Sequence, residues 1–440
     1  MKFHYVIYCM LGLLLVSMKT FGISQSSSTN KQNLFATHIN EQGLTISSPG
    51  SYILFDSCNY TNTSTPTAIT ITTSHVTIDF DRKALTQSNG LDTGIGVYIS
   101  DGCSDILLRG GTIANFKDYA IYIGKGCNNI MLNQMELVGG DTIMLFNGED
   151  GSDIYDGSII NCVVSHALTC GISFNYCNNL VVEDTFVIKN QGIGCSLHES
   201  QNMKFTSCYF NDTTSLADCF GLKALNADNI LFESCMFNSA QGTLKTYGLY
   251  MENCICANII NCAACKNESL YGDTVAGIYL KDCEAIMISS CQTYKNETFE
   301  SASSGIYVDG CTGCQLTKCA SLSNTTEASS EYACGIRLEN GSKNYIDSSY
   351  FTNNNNNYND ANGIGIYIDS TEASTVIRQC QSYANSGYGI KNDSTNAIIM
   401  QSAAGNNTAN FSGALAVSFY MTGSATPQTI FGADNIVFNK

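Results

Sequence analysis

The chain has 440 residues with 38 acidic against 21 basic side chains, a formal charge of −17, no tryptophan, three prolines and 22 cysteines. Such a surface disfavours nucleic acid as a partner, and it disfavours acidic polysaccharides unless a local basic groove or bound cations reverse the field.

Residues 1–22 read as an export signal. Lys2 is the charged end, an apolar stretch runs from Tyr5 to Met18, and the small residues Thr20 and Gly22 suit cleavage near Gly22-Ile23. Removing this segment leaves 38 acids against 19 bases, a charge of −19, on a protein expected to be secreted, periplasmic or displayed at the cell surface. The apolar stretch is short for a membrane span, and no later segment approaches 18 apolar residues, so an integral membrane protein is not expected.

Residues 23–93 are expected to form an N-terminal cap and entry coils, and residues 94–440 a single repeat domain. The repeat is a rewritten phrase: Gly277-Ile278-Tyr279-Leu280, Gly305-Ile306-Tyr307-Val308, Gly335-Ile336-Arg337-Leu338 and Gly365-Ile366-Tyr367-Ile368. Further copies open at Gly96, Ala120, Thr142, Gly171, Gly194, Gly221, Gly248 and Gly389, with a weak thirteenth near Ala416, and the twelve clear copies are 22 to 30 residues apart. A period of that size marks a solenoid whose coils bury their faces against one another.

Within one unit Ile278 and Leu280 alternate with Tyr279, then Ile286 and Ile288 with Met287, and Tyr294-Lys295-Asn296 closes the coil. Short alternating strands of this kind predict a three-sided, all-β coil in which Ile278, Ile306, Ile336 and Ile366 form one inward stack. A leucine-rich repeat has an overlapping period, but the L-x-x-L-x-L frame and a helical return are missing.

On these opening phrases, the I-x-I second strands and the coil-end asparagines Asn190, Asn267, Asn296 and Asn324, the chain resembles the right-handed parallel β-helix, or pectin-lyase-like, superfamily over about three quarters of its length. Pro49-Gly50-Ser51-Tyr52-Ile53-Leu54 and Val76-Thr77-Ile78-Asp79-Phe80 look like that family's entry coil. The resemblance implies a right-handed parallel β-helix of twelve to thirteen coils. It implies no single activity, since the family spans polysaccharide lyases, hydrolases, epimerases, tailspikes and adhesins. The Asn-Thr-Asp, Asp-Asp and Gly-His-Gly motifs of the hydrolases and the Asp-Pro-His-Glu of the epimerases are missing here, leaving Asp218-Cys219 and an isolated His198.

Cysteines fall in register. Cys254, Cys283 and Cys311 lie six residues after an opening glycine, while Cys208, Cys235, Cys262, Cys291 and Cys319 lie fourteen after it. The expectation is stacked buried thiols, with disulfides between coils ~4.8 Å apart as the alternative. Cys254-x-Cys256 and Cys262-x-x-Cys265 have zinc-like spacing, but no histidine completes the set.

Two outward columns are the site candidates. Two residues after the opening position stand Tyr98, Tyr122, Tyr250, Tyr279, Tyr307, Arg337, Tyr367 and Lys391, expected as a stripe of exposed rings on which sugar faces could stack. Two residues further on, after His198, Leu225, Glu252 and Lys281, come Asp309, Glu339, Asp369 and Asp393 on successive coils. Water, the neighbouring Arg337 and Lys391, or a bridging Ca2+ would each relieve their repulsion, and paired carboxylates also suit glycosidase chemistry. Asp309, Glu339 and Asp369 are therefore the catalytic candidates. The acidic loop around Glu149, Asp150, Asp153 and Asp156 is the metal candidate, with Ca2+ the cation and no other cofactor implied. Loops lengthen between Phe299 and Asp360, ending in the Asn353 to Asn357 run, and are expected to wall one flank of both columns. Sequons at Asn267, Asn296 and Asn324 are expected by chance in so Asn-rich a chain. The functional expectation is an exported solenoid that binds a polysaccharide or glycan along its tyrosine and acidic face, as a divergent carbohydrate-active enzyme or a simple binder. The alternative is a structural or adhesive surface protein.

Overall fold

The computed structural model describes residues 31–421, apart from 63, 89–91, 272–273 and 414–415. The proposed export signal lies outside the described residues.

Strand pairing is parallel throughout the solenoid, each strand bonding to its equivalent one coil before and one coil after. The first sheet carries the glycine phrases. In it Leu249, Ile278, Ile306, Ile336, Ile366 and Ile390 are consecutive rungs of one column, all essentially without solvent exposure. The second sheet runs through rungs such as Ile259, Ile288, Leu316 and Ile346, and the third through Ala264, Thr293, Ser321 and Phe351. The expected inward stack is therefore present, and the fold is an all-β solenoid of about thirteen turns. Alternation is the cause, since every second residue of a strand points into the tube, and those positions are mostly apolar, with Thr293 and Ser321 hydrogen-bonded inside the third sheet.

Two phrase positions differ from the sequence reading. Ile143, not Thr142, is the rung that follows Ala120 and precedes Gly171. The register shifts between Gly140 and Thr142, where Gly140 sits at φ 120°, a conformation closed to other residues, and the irregularity advances the frame by one. The first-sheet strand one coil after Gly389 is Ala409–Gly413, with Asn410 at the position of the glycine, so the thirteenth copy of the phrase lies there rather than near Ala416. Ala416–Met421 pairs instead with Ile398–Gly405, off the first sheet. At the other end, Thr67–Ile71 already pairs in register with Ile95–Ile99, and Leu44–Ile46 with Thr67–Ile71, so first-sheet rungs continue before residue 94. A helix of about two turns, Ala36–Gln42, places Ile39 fully buried against these first rungs.

Corners are single residues in the left-handed region, such as Ser207, Ser234, Asn261, Ser290 and Lys318 with φ between 52° and 55°. Each corner N–H donates to the next coil's carbonyl: Ser207 to Glu233, Ser234 to Ile260, Asn261 to Ser289. That pairing compensates a conformation which costs an L-residue roughly 1–2 kcal/mol.

One corner is buried and polar. Asn267 donates its side-chain amide to Asn296 Oδ1 (2.8 Å), Asn296 to Asn324 (2.9 Å), Asn324 to Asn354 (2.8 Å), Asn354 to Asn385 (2.8 Å) and Asn385 to Asn407 (3.0 Å). Each Oδ1 also accepts the backbone N–H of the preceding asparagine, so the buried amides are satisfied along the axis. The sequon asparagines Asn267, Asn296 and Asn324 are members of this ladder and have no exposed surface.

All 21 described cysteines are free thiols, and all but Cys256 and Cys265 are buried. Their Sγ atoms lie against main-chain carbonyls, as Cys291 does at 3.3 Å from Ile259 O. Burial pushes the thiols of Cys170, Cys219 and Cys334 up to about 12. Of the two zinc-like pairs, Cys254 and Cys262 are buried and Cys256 and Cys265 are partly exposed, and among the described residues no histidine joins them to hold a metal.

Replacing Asn296 by alanine removes the acceptor of both the backbone N–H and the side-chain amide of Asn267, and leaves the oxygen of Asn324 with only the backbone N–H of residue 296. At about 1–3 kcal/mol for each orphaned buried group, a loss of about 3 kcal/mol is expected in denaturant unfolding, and an unchanged midpoint would contradict the ladder's role. A thiol reagent should label few cysteines in the native protein and nearly all of them after denaturation without reductant. Persistent protection in denaturant would reveal disulfides.

Candidate functional site

The outward column of the first sheet is built by strand register: Lys223, Tyr250, Tyr279, Tyr307, Arg337, Tyr367 and Lys391 are consecutive rungs. Tyr98 and Tyr122 form a separate pair, because Leu145, Ser173 and Ser196 occupy the three rungs between Tyr122 and Lys223. The stripe is thus two segments.

Its rings are covered rather than exposed. Tyr250, Tyr279, Tyr307 and Tyr367 retain 8%, 9%, 8% and 5% of their surface. They pack with residues immediately before the glycines, which also lie outside the tube: Phe220, Tyr247 and Ala276 join Tyr250, Tyr279 and Tyr307, while Cys334, Ile364, Tyr332 and Tyr388 surround Tyr367. Tyr279 and Tyr307 stack at 4.6 Å with planes 8° apart. The Arg337 guanidinium lies between rings, 5.0 Å from that of Tyr307 and 5.9 Å from that of Tyr367, and Lys391 lies 4.7 Å from Tyr367. From Tyr307 to Lys391 rings and cations alternate, an arrangement that costs less than unpaired burial of either, because each cation meets an aromatic face.

The tyrosine hydroxyls all point at the acidic column. Tyr250 donates to Glu252 (2.8 Å), Tyr279 to Asp309 (3.0 Å), Tyr307 to Glu339 (2.5 Å) and Tyr367 to Asp369 (3.0 Å). Cations neutralise part of the row: Lys281 bonds Glu252 at 2.6 Å, Arg337 bonds Glu339 at 2.5 Å and Lys391 bonds Asp393 at 3.0 Å. Asp309 also accepts from Asn340, and Asp369 from Thr371. The repulsion foreseen from sequence is relieved by these tyrosines and cations. Burial raises the Tyr250, Tyr279 and Tyr307 hydroxyls well above the ordinary phenol range. For Glu252 and Asp369 partial burial acts upward, but the bonds from Lys281 and Tyr250, and from Thr371 and Tyr367, outweigh it and hold both carboxyls below their ordinary values.

The acidic loop does not gather. Glu149 pairs with Lys125 at 2.7 Å, Asp156 accepts from Asn179, and Asp150 projects into solvent. Among the described residues no group of three or more His, Cys, Asp and Glu side chains is arranged to hold a metal. No described helix is long and apolar enough to cross a membrane.

Loops before the first sheet form a second, five-stranded sheet from Gln241–Gly242, Glu268–Ser269, Glu297–Thr298, Thr325–Thr326 and Asn355–Asn356. Single bridges extend it to Thr214 and Gln191. Over this flank lies an open cleft of about 460 Å3 lined by Gln191, Thr214, Leu216, Gln241, Glu268 and Leu270, among others. Along this flank, after successive strands of the small sheet, large apolar side chains stand in solvent: Leu216 is 93% exposed, Tyr271 68% and Tyr358 75%, with Leu244, Leu270 and Phe299 nearer half. Sequence reasoning foresaw the wall of loops but not this cleft: its rungs lie twenty residues after the opening glycine of each coil, but the loops that follow them and shape the cleft vary in length from coil to coil.

The family model for the right handed beta helix region matches residues 87–237, 145–298 and 276–440. The chain belongs to the right-handed β-helix family. Among solved structures it is similar to the periplasmic alginate epimerase AlgG (10% identity, TM-score 0.51, 86% of this chain and 83% of that one). It is likewise similar to the pre-mature gene product 12 of bacteriophage phi29 (13% identity, TM-score 0.50, 81% of this chain and 51% of that one). At such identities the likeness is one of fold. No curated protein sequence matches the chain.

The carboxylates of Glu252 and Asp369 contribute stability above their unfolded values, 4.5 and 3.8, and that contribution disappears as pH falls through the lower folded values. Stability should therefore fall between about pH 5 and pH 3, and Glu252→Gln with Asp369→Asn should flatten that decline. An equally steep decline in the double variant would show that other carboxylates control it.

Proposed function

We infer that the protein is an exported glycan-binding solenoid that holds an uncharged polysaccharide along the loop flank of its first sheet. The observation that carries this reading is the cleft's chemistry. Gln191, Thr214 and Gln241 offer uncharged donors and acceptors on rungs ~4.8 Å apart, and Leu216 and Leu270 offer apolar surface to sugar C–H faces. No lysine or arginine lines the cleft, and the chain is strongly acidic, so alginate-like polyanions fit it poorly. Export rests on the leader-like residues 1–22.

In this reading the tyrosines are supports, not a sugar platform. Tyr250, Tyr279, Tyr307 and Tyr367, with Arg337, tie the first sheet to its carboxylates. Asp309, Glu339 and Asp369 are committed to those bonds rather than to acid and base chemistry. The same mutual satisfaction favours the second reading, a structural or adhesive surface protein whose outward columns serve stability alone.

The two separate by binding. On an array of neutral and acidic polysaccharides, with and without Ca2+, the protein should retain neutral glycans in either condition. Leu216→Ser with Leu270→Ser should weaken that binding about 10-fold, or ~1.4 kcal/mol, without altering the melting curve. Tyr307→Phe should do the reverse. Retention of no glycan would favour the structural reading, and retention of acidic glycans only would overturn the neutral-polysaccharide reading.

A further inference from the structure

The five-stranded sheet beside the cleft turns one column of side chains outward, stepping in register from Thr214 through Gln241, Glu268, Glu297 and Thr325 to Asn355. Its other face is shut, since Ser269, Thr298, Thr326 and Asn356 on the alternate positions are buried. The two charged members of the outward column stand side by side at its middle. Glu268 lines the cleft, and Glu297 stands one rung beyond. Unlike the carboxylates of the first sheet, these are not engaged: among the described residues neither accepts a hydrogen bond nor meets a cation within 4 Å. Lys266 and Lys295, two residues before them, project into solvent, Lys295 over the ring of Tyr294. The floor of the cleft holds a further unsatisfied group. Thr246 is fully buried, its hydroxyl has no hydrogen-bond partner, and that oxygen lies 2.4 Å from the point where a Cβ on Gly242 would stand. Gly242 lines the cleft, so its missing side chain leaves the Thr246 hydroxyl aimed there. Buried polar groups are nearly always paired, and the cleft is the side from which a partner can come.

We propose that Glu268 and Glu297 are the nucleophile and the acid/base of a retaining glycoside hydrolase that cuts the polysaccharide held in the cleft, an inference that rests on the glycan-binding reading above. Parallel pairing sets the two Cα atoms ~4.8 Å apart, and equivalent side chains on equivalent backbone carry that spacing outward. It suits the carboxyl separation of retaining enzymes, about 5–5.5 Å, and not the wider gap of about 6.5–9.5 Å in which an inverting pair holds its water. Position assigns the roles. Glu268, inside the cleft, faces a sugar seated on Leu216 and Leu270, while Glu297, beyond the cleft, stands where the leaving sugar departs and water arrives. Thr214 and Gln241 on one side, and Thr325 and Asn355 on the other, give uncharged rungs to the sugars that flank the bond.

The atoms balance in two steps. In the first, the Glu268 carboxylate bonds to the anomeric carbon as that carbon's bond to the bridging oxygen breaks, and Glu297 in its acid form gives its proton to the departing oxygen. In the second, the Glu297 carboxylate takes a proton from water, whose oxygen bonds to the anomeric carbon and releases the Glu268 carboxylate. One water is consumed and both carboxyl groups return to their starting states. Two inversions at one carbon leave its configuration as it began.

The full chain, incubated with soluble neutral polysaccharides (β-1,4-glucan, β-1,3-glucan, xylan, mannan and α-1,4-glucan), tests this through retention on the array and release of new reducing ends. Cleavage of at least one retained glycan is expected, and NMR of the fresh product should show the anomer of the substrate. Glu268→Gln and Glu297→Gln should each slow cleavage at least about 100-fold while keeping retention. Glu284→Gln, at the other end of the first sheet, should change nothing, and melting curves confirm that each variant folds. Azide should restore turnover to the alanine variants, giving a glycosyl azide of retained configuration from Glu297→Ala and of inverted configuration from Glu268→Ala. Retention of no neutral glycan overturns the binding reading and this proposal together. Retention without cleavage overturns this proposal alone and leaves a simple binder. Cleavage with inversion, or cleavage that both glutamine variants keep, overturns the assignment of the pair.

Discussion

Everything in this molecule depends on one coil completing the hydrogen bonds of its neighbour. A strand of three residues has no stability alone, and a corner residue in the left-handed region is strained, yet each becomes tolerable once the next coil accepts its N–H. The asparagine ladder extends this rule to side chains. A buried carboxamide is costly unless both its donor and its acceptor are used, and stacking identical amides at the coil repeat satisfies both along the axis.

The outside of the first sheet follows the same logic with different groups. Where loops cover it, the outward positions cannot stay polar and free. They become rings whose hydroxyls reach carboxylates, and carboxylates whose charge is met by Lys281, Arg337 and Lys391 on the same sheet. What looks in projection like a row of repelling acids is one edge of a closed, partly buried network.

The fold was legible in sequence because its signal is strictly periodic. Ile278, Ile306, Ile336 and Ile366 occupy the same inward position, and parity tolerates no slip within a coil. The slip at Ile143 escaped because a double glycine absorbs one residue where the phrase itself is weakest. Outward features were less legible. Whether Tyr307 is exposed depends on what covers it, and its cover comes from Tyr279 and Arg337 on adjacent coils, from the neighbourhood of Tyr247, and from loops whose lengths vary from coil to coil. The cleft at Gln241 and Leu216 was illegible for the same reason.

The amide ladder also bears on where this polypeptide can be made. Oligosaccharide transfer in a eukaryotic secretory pathway reaches the asparagine of an Asn-x-Ser/Thr triplet on chain that has not yet folded. Asn267, Asn296 and Asn324 each head such a triplet, and the finished coil needs all three carboxamides bare and enclosed. A glycan attached to any of them would have to be accommodated inside the tube, so in that pathway glycosylation and coil closure would compete for the same three nitrogen atoms.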